Sequence, residues 1–238
     1  DHETGRSIAY FDQNGETLQT QTKSYSKSTI MAAQSIDDRL GRSAITTLQA
    51  PTSKQNFQYD YRFVRNPAST GRYDIEFFDT PQTLTTPDPV GNQTTGTLGW
   101  YYSNNNSLET NVPTTGFPYS RTEFYSDGTG EVKRAASAGD QHRMGSGHEI
   151  LTGTFPVHNE LVEYFQNRVI ALPGIEQSPV SNDVGVQSVI RDQNGKYSLT
   201  IADKSGKTLM AARNLEEGET ATLVVSNNIK SQVVNSQA

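Results

Sequence analysis

The sequence predicts an all-β chain with one short amphipathic helix, and three observations predict it. The pattern Asp-x-x-Gly recurs five times, at Asp12–Gly15, Asp38–Gly41, Asp127–Gly130, Asp192–Gly195 and Asp203–Gly206. Alternating segments flank these copies, as in Lys196–Ala202, where Tyr197, Leu199 and Ile201 fall on one face of an extended strand. Between the second and third copies, Pro51, Pro67, Pro81, Pro87, Pro89, Pro113 and Pro118 exclude long helices and confine strands to short or edge pieces.

The spacing of the repeated motif is that of a hairpin corner. Aspartate in the first position accepts a hydrogen bond from the backbone N–H two residues on, and glycine in the fourth takes the positive φ that turns a type I turn into a returning strand. Asn14 and Asn194, just before their glycines, suit the same turn. The fullest copies run Ile8–Gly15, Phe124–Gly130 and Val189–Gly195, each with apolar or aromatic residues ahead of the aspartate.

Taken in order, residues 1–50 read as a first β segment with the corners at Asp12 and Asp38. Residues 51–121 read as an insertion of short strands and loops, rich in proline and in aromatic pairs such as Tyr59/Tyr61, Phe77/Phe78 and Tyr101/Tyr102, with a turn tip at Asn104–Asn106. Residues 122–226 read as a second β segment. Within it, Leu161, Val162, Phe165 and Val169 give helical periodicity over about 158–171, between Pro156 and Pro173-Gly174. A lone amphipathic helix in a β protein covers a sheet face or plugs an end. Residues 227–238 form a polar, weakly patterned tail, expected as an edge strand or a frayed end.

Composition narrows the function classes. The chain has 238 residues, with 20 Lys+Arg against 26 Asp+Glu, a formal net charge of −6 that argues against nucleic acid as a partner. Hydrophobic residues make up 33%, so the apolar core is expected to be thin. The absence of cysteine excludes disulfides and thiolate chemistry. No apolar run approaches a membrane span, and Asp1–Gly5 carries no leader signature, so the chain is expected to be a soluble segment of a longer polypeptide.

Tyr10–Gln21 and Asp38–Leu48 resemble the tyrosine, aspartate and turn-glycine pattern of YD-repeat (RHS-repeat) proteins. Gly96–Asn105, Asp127–Arg134 and Arg143–Glu149 are more specifically similar to the large RHS-repeat proteins of the Bacteroidetes lineage, and the likeness extends over about residues 6 to 213. The resemblance implies a segment of a spiralling antiparallel β-sheet that, in the family and in related toxin-complex proteins, forms the wall of a hollow shell around a C-terminal effector. It further implies a non-catalytic scaffold of the polymorphic-toxin type, secreted or displayed at the cell surface, with export by the type IX route. Its partners would be the rest of the shell and the enclosed effector or secretion machinery. Two copies are degenerate, because Ile36 and Ile201 stand near the positions of the missing tyrosine. Asp88-Pro-Val-Gly91 matches only the beginning of the family's self-cleavage motif and carries no expected cleavage role.

Against this stand two other classes. Trp100, Tyr101 and Tyr102, with Tyr59, Tyr61 and Tyr73, could stack on pyranose rings in a carbohydrate-binding adhesin, whereas alternation along a strand favours core packing for Trp100. Asp74, Glu76, Asp79, Glu123 and Glu131 could supply a glycosidase pair, but nothing in the sequence pairs them. His142, His148 and His158 with Asp140 and Glu149 fit no metal signature, and Gly139, Gly145 and Gly147 make that region a solvated or internally bonded loop. No nucleophile elbow, P-loop or dinucleotide fingerprint occurs, so no catalytic residue, metal or cofactor is expected.

Overall fold

A computed structural model describes residues 5–24, 29–65, 73–78, 90, 95–156, 185–213, 221–225 and 232–234. They form a mostly antiparallel β protein with almost no helix. The segments expected to be helical (158–171) and Asp88 lie outside the described residues, as does most of the tail.

The chain divides into two compact units, Asp1–Glu149 and Ile150–Ala238. The first holds β1 (Gly5–Phe11), β2 (Thr17–Ser24), β3 (Ile30–Asp37), β4 (Ser43–Thr47), β5 (Ala50–Pro51), β6 (Tyr119–Phe124) and β7 (Val132–Ala136), with two single helical turns, α1 (Ile75–Phe78) and α2 (Leu98–Tyr101). Its sheet runs β1-β2-β3-β4-β6-β7, and β5 adds to β3 at Met31↔Pro51 and Ala32↔Ala50. The second holds β8 (Ile150–Pro156), β9 (Gly185–Arg191), β10 (Tyr197–Asp203), β11 (Thr208–Arg213), β12 (Ala221–Val225) and β13 (Gln232–Val234), each hydrogen-bonded to the next in sequence.

In the first unit the alternation of β3 is strict. Ile30, Ala32, Gln34 and Ile36 point inward and are buried, while their neighbours are half-exposed. Residues directly opposite share that face, which adds Gln19 and Gln21 from β2, Ile45 and Thr47 from β4, and Tyr119 and Arg121 from β6. The other wall of the core is the proline-rich insertion: Phe63, Val64, Tyr73, Ile75, Val90, Leu98, Trp100, Tyr101 and Phe117 pack in one cluster with the sheet residues. The stretch read from the sequence as an insertion of short strands and loops therefore supplies more than half of that buried cluster. Its ends leave and re-enter the sheet at one place, because β4 pairs with β6 and Leu48 N donates to Pro118 O at 2.9 Å.

Close contact between backbones holds the insertion down. Thr52 N donates to Ile30 O at 2.8 Å, and Leu98 N to Phe63 O at 2.9 Å. Gly96 takes φ 81°, and a Cβ on it would stand 2.8 Å from Ser53 Cβ and 2.9 Å from Ser53 N. Gly96→Ala is therefore expected to combine left-handed strain of about 1 kcal/mol with overpacking, lowering unit stability by about 2 kcal/mol. Gly15→Ala has a similar φ of 86° but open space around it, so it serves as the strain-only comparison. Urea denaturation of both variants checks the difference.

In the second unit Tyr197, Leu199 and Ile201 share a face with Val189 of β9, but only Ile201 is fully buried. Tyr197 and Phe155 are about half exposed. Among the side chains described in this sheet, few apolar ones are fully buried.

Candidate functional site

The repeated feature that positions everything else is the corner. At Asp12, Asp38, Asp192 and Asp203 the same set of bonds recurs. The aspartate N–H donates to the carbonyl four residues on, at 2.8–2.9 Å, and the glycine N–H donates back to the aspartate carbonyl at 2.9–3.3 Å. One carboxylate oxygen accepts from two backbone N–H groups, those of Asn14 and Glu16, Leu40 and Arg42, Asn194 and Lys196, or Ser205 and Lys207, at 2.8–3.0 Å. Gly15, Gly41, Gly195 and Gly206 all have φ between 76° and 86°. This is a type I turn closed by a glycine bulge, and the carboxylate satisfies two donors that the turn would otherwise leave to water.

The corner at Asp127–Gly130 differs. The closing pair is Tyr125 N to Glu131 O at 2.9 Å, so a longer loop intervenes, with both Gly128 and Gly130 at positive φ. Asp127 accepts from Thr129 N and Thr129 Oγ1 instead, at 3.0 and 2.7 Å. The extra glycine and the threonine hydroxyl make this alternative possible.

A second irregularity follows four of the five corners, Asp12, Asp38, Asp127 and Asp203. Tyr10 pairs with Gln19 and Phe11 with Thr17, leaving Leu18 without an opposite residue. In the same way Ala44 is skipped between β3 and β4, Lys133 between β6 and β7, and Leu209 between β10 and β11. Each skipped residue stands six positions after its aspartate. Such bulges bend the strand and increase its twist.

Two charge clusters frame the corner at Asp38. Arg42 donates from Nε to Asp38 Oδ2 at 2.8 Å, lies over the Phe124 ring at 4.4 Å, and reaches Tyr125 O at 3.3 Å. Partial burial pushes the Asp38 carboxyl up, but the bonds from Arg42 and Leu40 and the Arg42 charge outweigh it, holding it below the usual carboxylate range. On β6, Glu123 accepts from Lys133 Nζ at 2.9 Å and Arg134 Nε at 2.6 Å; burial again raises its carboxyl and the two cations lower it further. Arg42, Arg121 and Phe124 border an open cavity of about 290 Å³ between these pairs. Asp37 runs the other way: burial, then the charges of Glu16, Asp12 and Asp38, raise it, with only the Ser35 hydrogen bond opposing.

These directions set a pH dependence. A depressed folded value stabilises above the ordinary value, here 3.8 for Asp38 and 4.5 for Glu123, and that stabilisation is lost as pH falls through the folded value. Asp37 has the opposite sign, so it recovers part of the loss on protonation. Arg42→Met is expected to cost about 1 kcal/mol at neutral pH, and the share due to the Asp38 pair is expected to fade as pH falls below the usual carboxylate range while the share due to Phe124 and Tyr125 remains. Thermal melts across that range check it; a pH-independent cost would remove the Asp38 pair as its cause.

The aromatic residues considered for sugar stacking are placed differently from that reading. Thr97 caps α2, whose residues Trp100 and Tyr101 are only 7% and 5% exposed. Tyr101 donates from its hydroxyl to Glu109 at 2.9 Å, and burial together with that bond and the Glu109 charge pushes its phenol up to about 12. Tyr102 stands edge-on to Tyr101, with 5.1 Å between ring centroids, and donates to Gln49 O at 2.8 Å. Trp100 and Tyr101 are buried in the core cluster, the packing that the sequence favours for Trp100. Tyr73 is buried with them, and Tyr59 lies against Tyr10 at 5.8 Å; Tyr61 is exposed beneath the Arg62 guanidinium. Asn104–Asn106 forms the turn after α2, with Asn106 bonded to Tyr101 O and Glu109.

Two of the carboxylates weighed for glycoside chemistry make structural contacts. Glu123 is held by its two cations, and Asp74 accepts from Phe77 N at 3.2 Å at the start of α1. Among the described residues no group of three or more His, Cys, Asp or Glu is arranged to hold a metal, and no helix is long and apolar enough to cross a membrane.

Sequence reasoning missed a buried polar lattice. Gln19 and Gln21 on β2 are fully buried, and their amides meet the backbone of the insertion at two points each. Gln21 accepts from Gln58 N at 3.3 Å and donates to Gln58 O at 2.7 Å; Gln19 accepts from Asp60 N at 3.0 Å and donates to Asp60 O at 3.1 Å. Gln21 Nε2 also reaches Gln19 Oε1, and Gln19 Nε2 reaches Gln34 Oε1. Two side chains at alternate positions thus act as the neighbouring strand for an extended segment. The only sequence signal was Gln-Thr-Gln on a strand that must bury one face.

Comparison with known proteins found no matching protein family, no similar curated protein and no similar solved structure.

Proposed function

We propose that the chain is a non-catalytic wall segment of a large secreted or surface-displayed RHS-repeat protein, whose other repeats complete a shell that encloses or presents a C-terminal effector. The observation that carries this reading is one corner geometry used four times, with the same six-residue interval to a bulge at three of them. A chain that must be extended by more of the same needs each strand to return beside the last and each turn to add the same bend.

Strand order agrees with that logic. Within each unit, sequential strands are neighbours, apart from β5, which adds to β3 at the start of the insertion. Among the described residues β1 pairs only with β2, so its outer edge is available to a further strand. Electron microscopy of the full-length parent protein is expected to show a hollow capsule containing density; a solid globule overturns the reading. The isolated chain is expected to self-associate through its edge strands in sedimentation velocity, and strictly monomeric behaviour at high concentration counts against it.

A further inference from the structure

His142 and His148 are six residues apart in sequence, yet their rings stand 5.8 Å apart between centroids, nearly edge to face at 72°. The loop that brings them together is anchored from beneath. Gly139 N donates to Phe117 O at 2.8 Å, the Arg143 guanidinium lies 4.9 Å from the Phe117 ring centre, and Met144 is buried. Glu149, also buried, accepts from Gly147 N at 2.8 Å, and His148 N donates to Ser146 Oγ at 3.2 Å. Gly139, Gly145 and Gly147 take positive φ, which lets so short a loop fold back on itself. With Arg143, Met144 and Glu149 turned toward the protein, the two imidazoles are left together on the exposed side.

We propose that His142 and His148 form a two-imidazole site for a borderline divalent transition-metal ion such as Zn²⁺, Ni²⁺ or Cu²⁺, with water completing the coordination. A metal about 2.1 Å from one nitrogen of each ring sets the ring centroids roughly 4.6–5.3 Å apart for bond angles between a right angle and the tetrahedral value. Rotation of two exposed side chains by about 1 Å closes the difference, with no backbone movement. Each ring commits one nitrogen, and a hydrogen bond from the other to water or protein would fix its tautomer. Imidazole selects these metals over Mg²⁺ and Ca²⁺, which need oxygen cages, and among them Cu²⁺ binds most tightly. The inference is independent of the shell reading, since it rests on one loop of the first unit.

Calorimetric titration of the tag-free chain with ZnCl₂ and CuCl₂ tests it, together with two-bond ¹H–¹⁵N spectra of the imidazoles. The expected result is one saturable site, tighter for Cu²⁺, with shifts in both rings and no response to MgCl₂. His142→Gln and His148→Gln are each expected to weaken binding by roughly tenfold or more while leaving the melting temperature unchanged, because both side chains are exposed. His2→Gln and His158→Gln are expected to leave affinity unchanged. Absence of saturable binding, binding that follows His2 or His158, or dependence on only one member of the pair overturns the proposal.

Discussion

Trp100→Ala is expected to cost the first unit about 4 kcal/mol and to change nothing on a glycan array. The indole is almost fully enclosed between β-sheet and insertion, where it packs in the same cluster as Phe63, Leu98 and Phe117. Truncation removes its transfer free energy and leaves a cavity that the proline-bearing backbone around it cannot close. Chemical denaturation followed by far-ultraviolet circular dichroism reads the first effect, and an array probed with both proteins reads the second. Trp100→Phe keeps an aromatic ring in the site and is expected to cost about half as much, which separates packing from general misfolding. If the native chain binds a glycan reproducibly and Trp100→Phe, still folded, loses that binding, the adhesin reading replaces the wall-segment one.

What the sequence disclosed was local. Asp12, Asp38, Asp192 and Asp203 with their glycines are legible because a turn is specified by the residues inside it: a carboxylate two residues from a free N–H and a glycine where φ must be positive. The alternation at Tyr197, Leu199 and Ile201 is legible for a similar reason, since the period of a strand is carried by the strand. The longer loop at Asp127 was not, because Gly128 and Thr129 offer a second set of bonds that the shared motif conceals.

The role of the insertion was illegible on different grounds. Phe63, Tyr73, Leu98 and Trp100 come from separate pieces of a segment without periodicity, and nothing in their spacing says that they meet over β3 and β4. Proline density marks where regular structure stops, and does not show where the chain packs. The bulges at Leu18 and Ala44 depend on the opposite strand for their definition, so the adjacent burial of Ala44 and Ile45 looks like a broken pattern until the partner is known. The histidine pair is a loop-closure effect of the same kind, set by Phe117 and Met144 beneath it rather than by the spacing of the histidines.

The glutamine lattice has an expected result that distinguishes hydrogen bonding from packing. Gln19→Leu nearly preserves side-chain volume but strips both the N–H and the carbonyl of Asp60 of their buried partner, and removes the donor to Gln34. Each orphaned buried group costs about 1–3 kcal/mol, so a loss of about 3 kcal/mol is expected, independent of pH across the neutral range. Trp100, the single tryptophan, reports the unfolding by fluorescence. Gln19→Glu keeps an acceptor for Asp60 N but turns an oxygen toward Asp60 O where a donor stood. In that fully buried position the introduced carboxyl is expected to titrate well above its ordinary value of about 4.3. A raised folded value means that the stabilisation is complete below the unfolded value and is lost as pH rises through the folded one. Gln19→Glu should therefore approach the native protein at about pH 4 and fall progressively behind it toward about pH 7, while Gln19→Leu keeps a constant deficit. Parallel pH profiles for the two variants would show that volume, not the amide pairing with the insertion, governs the site.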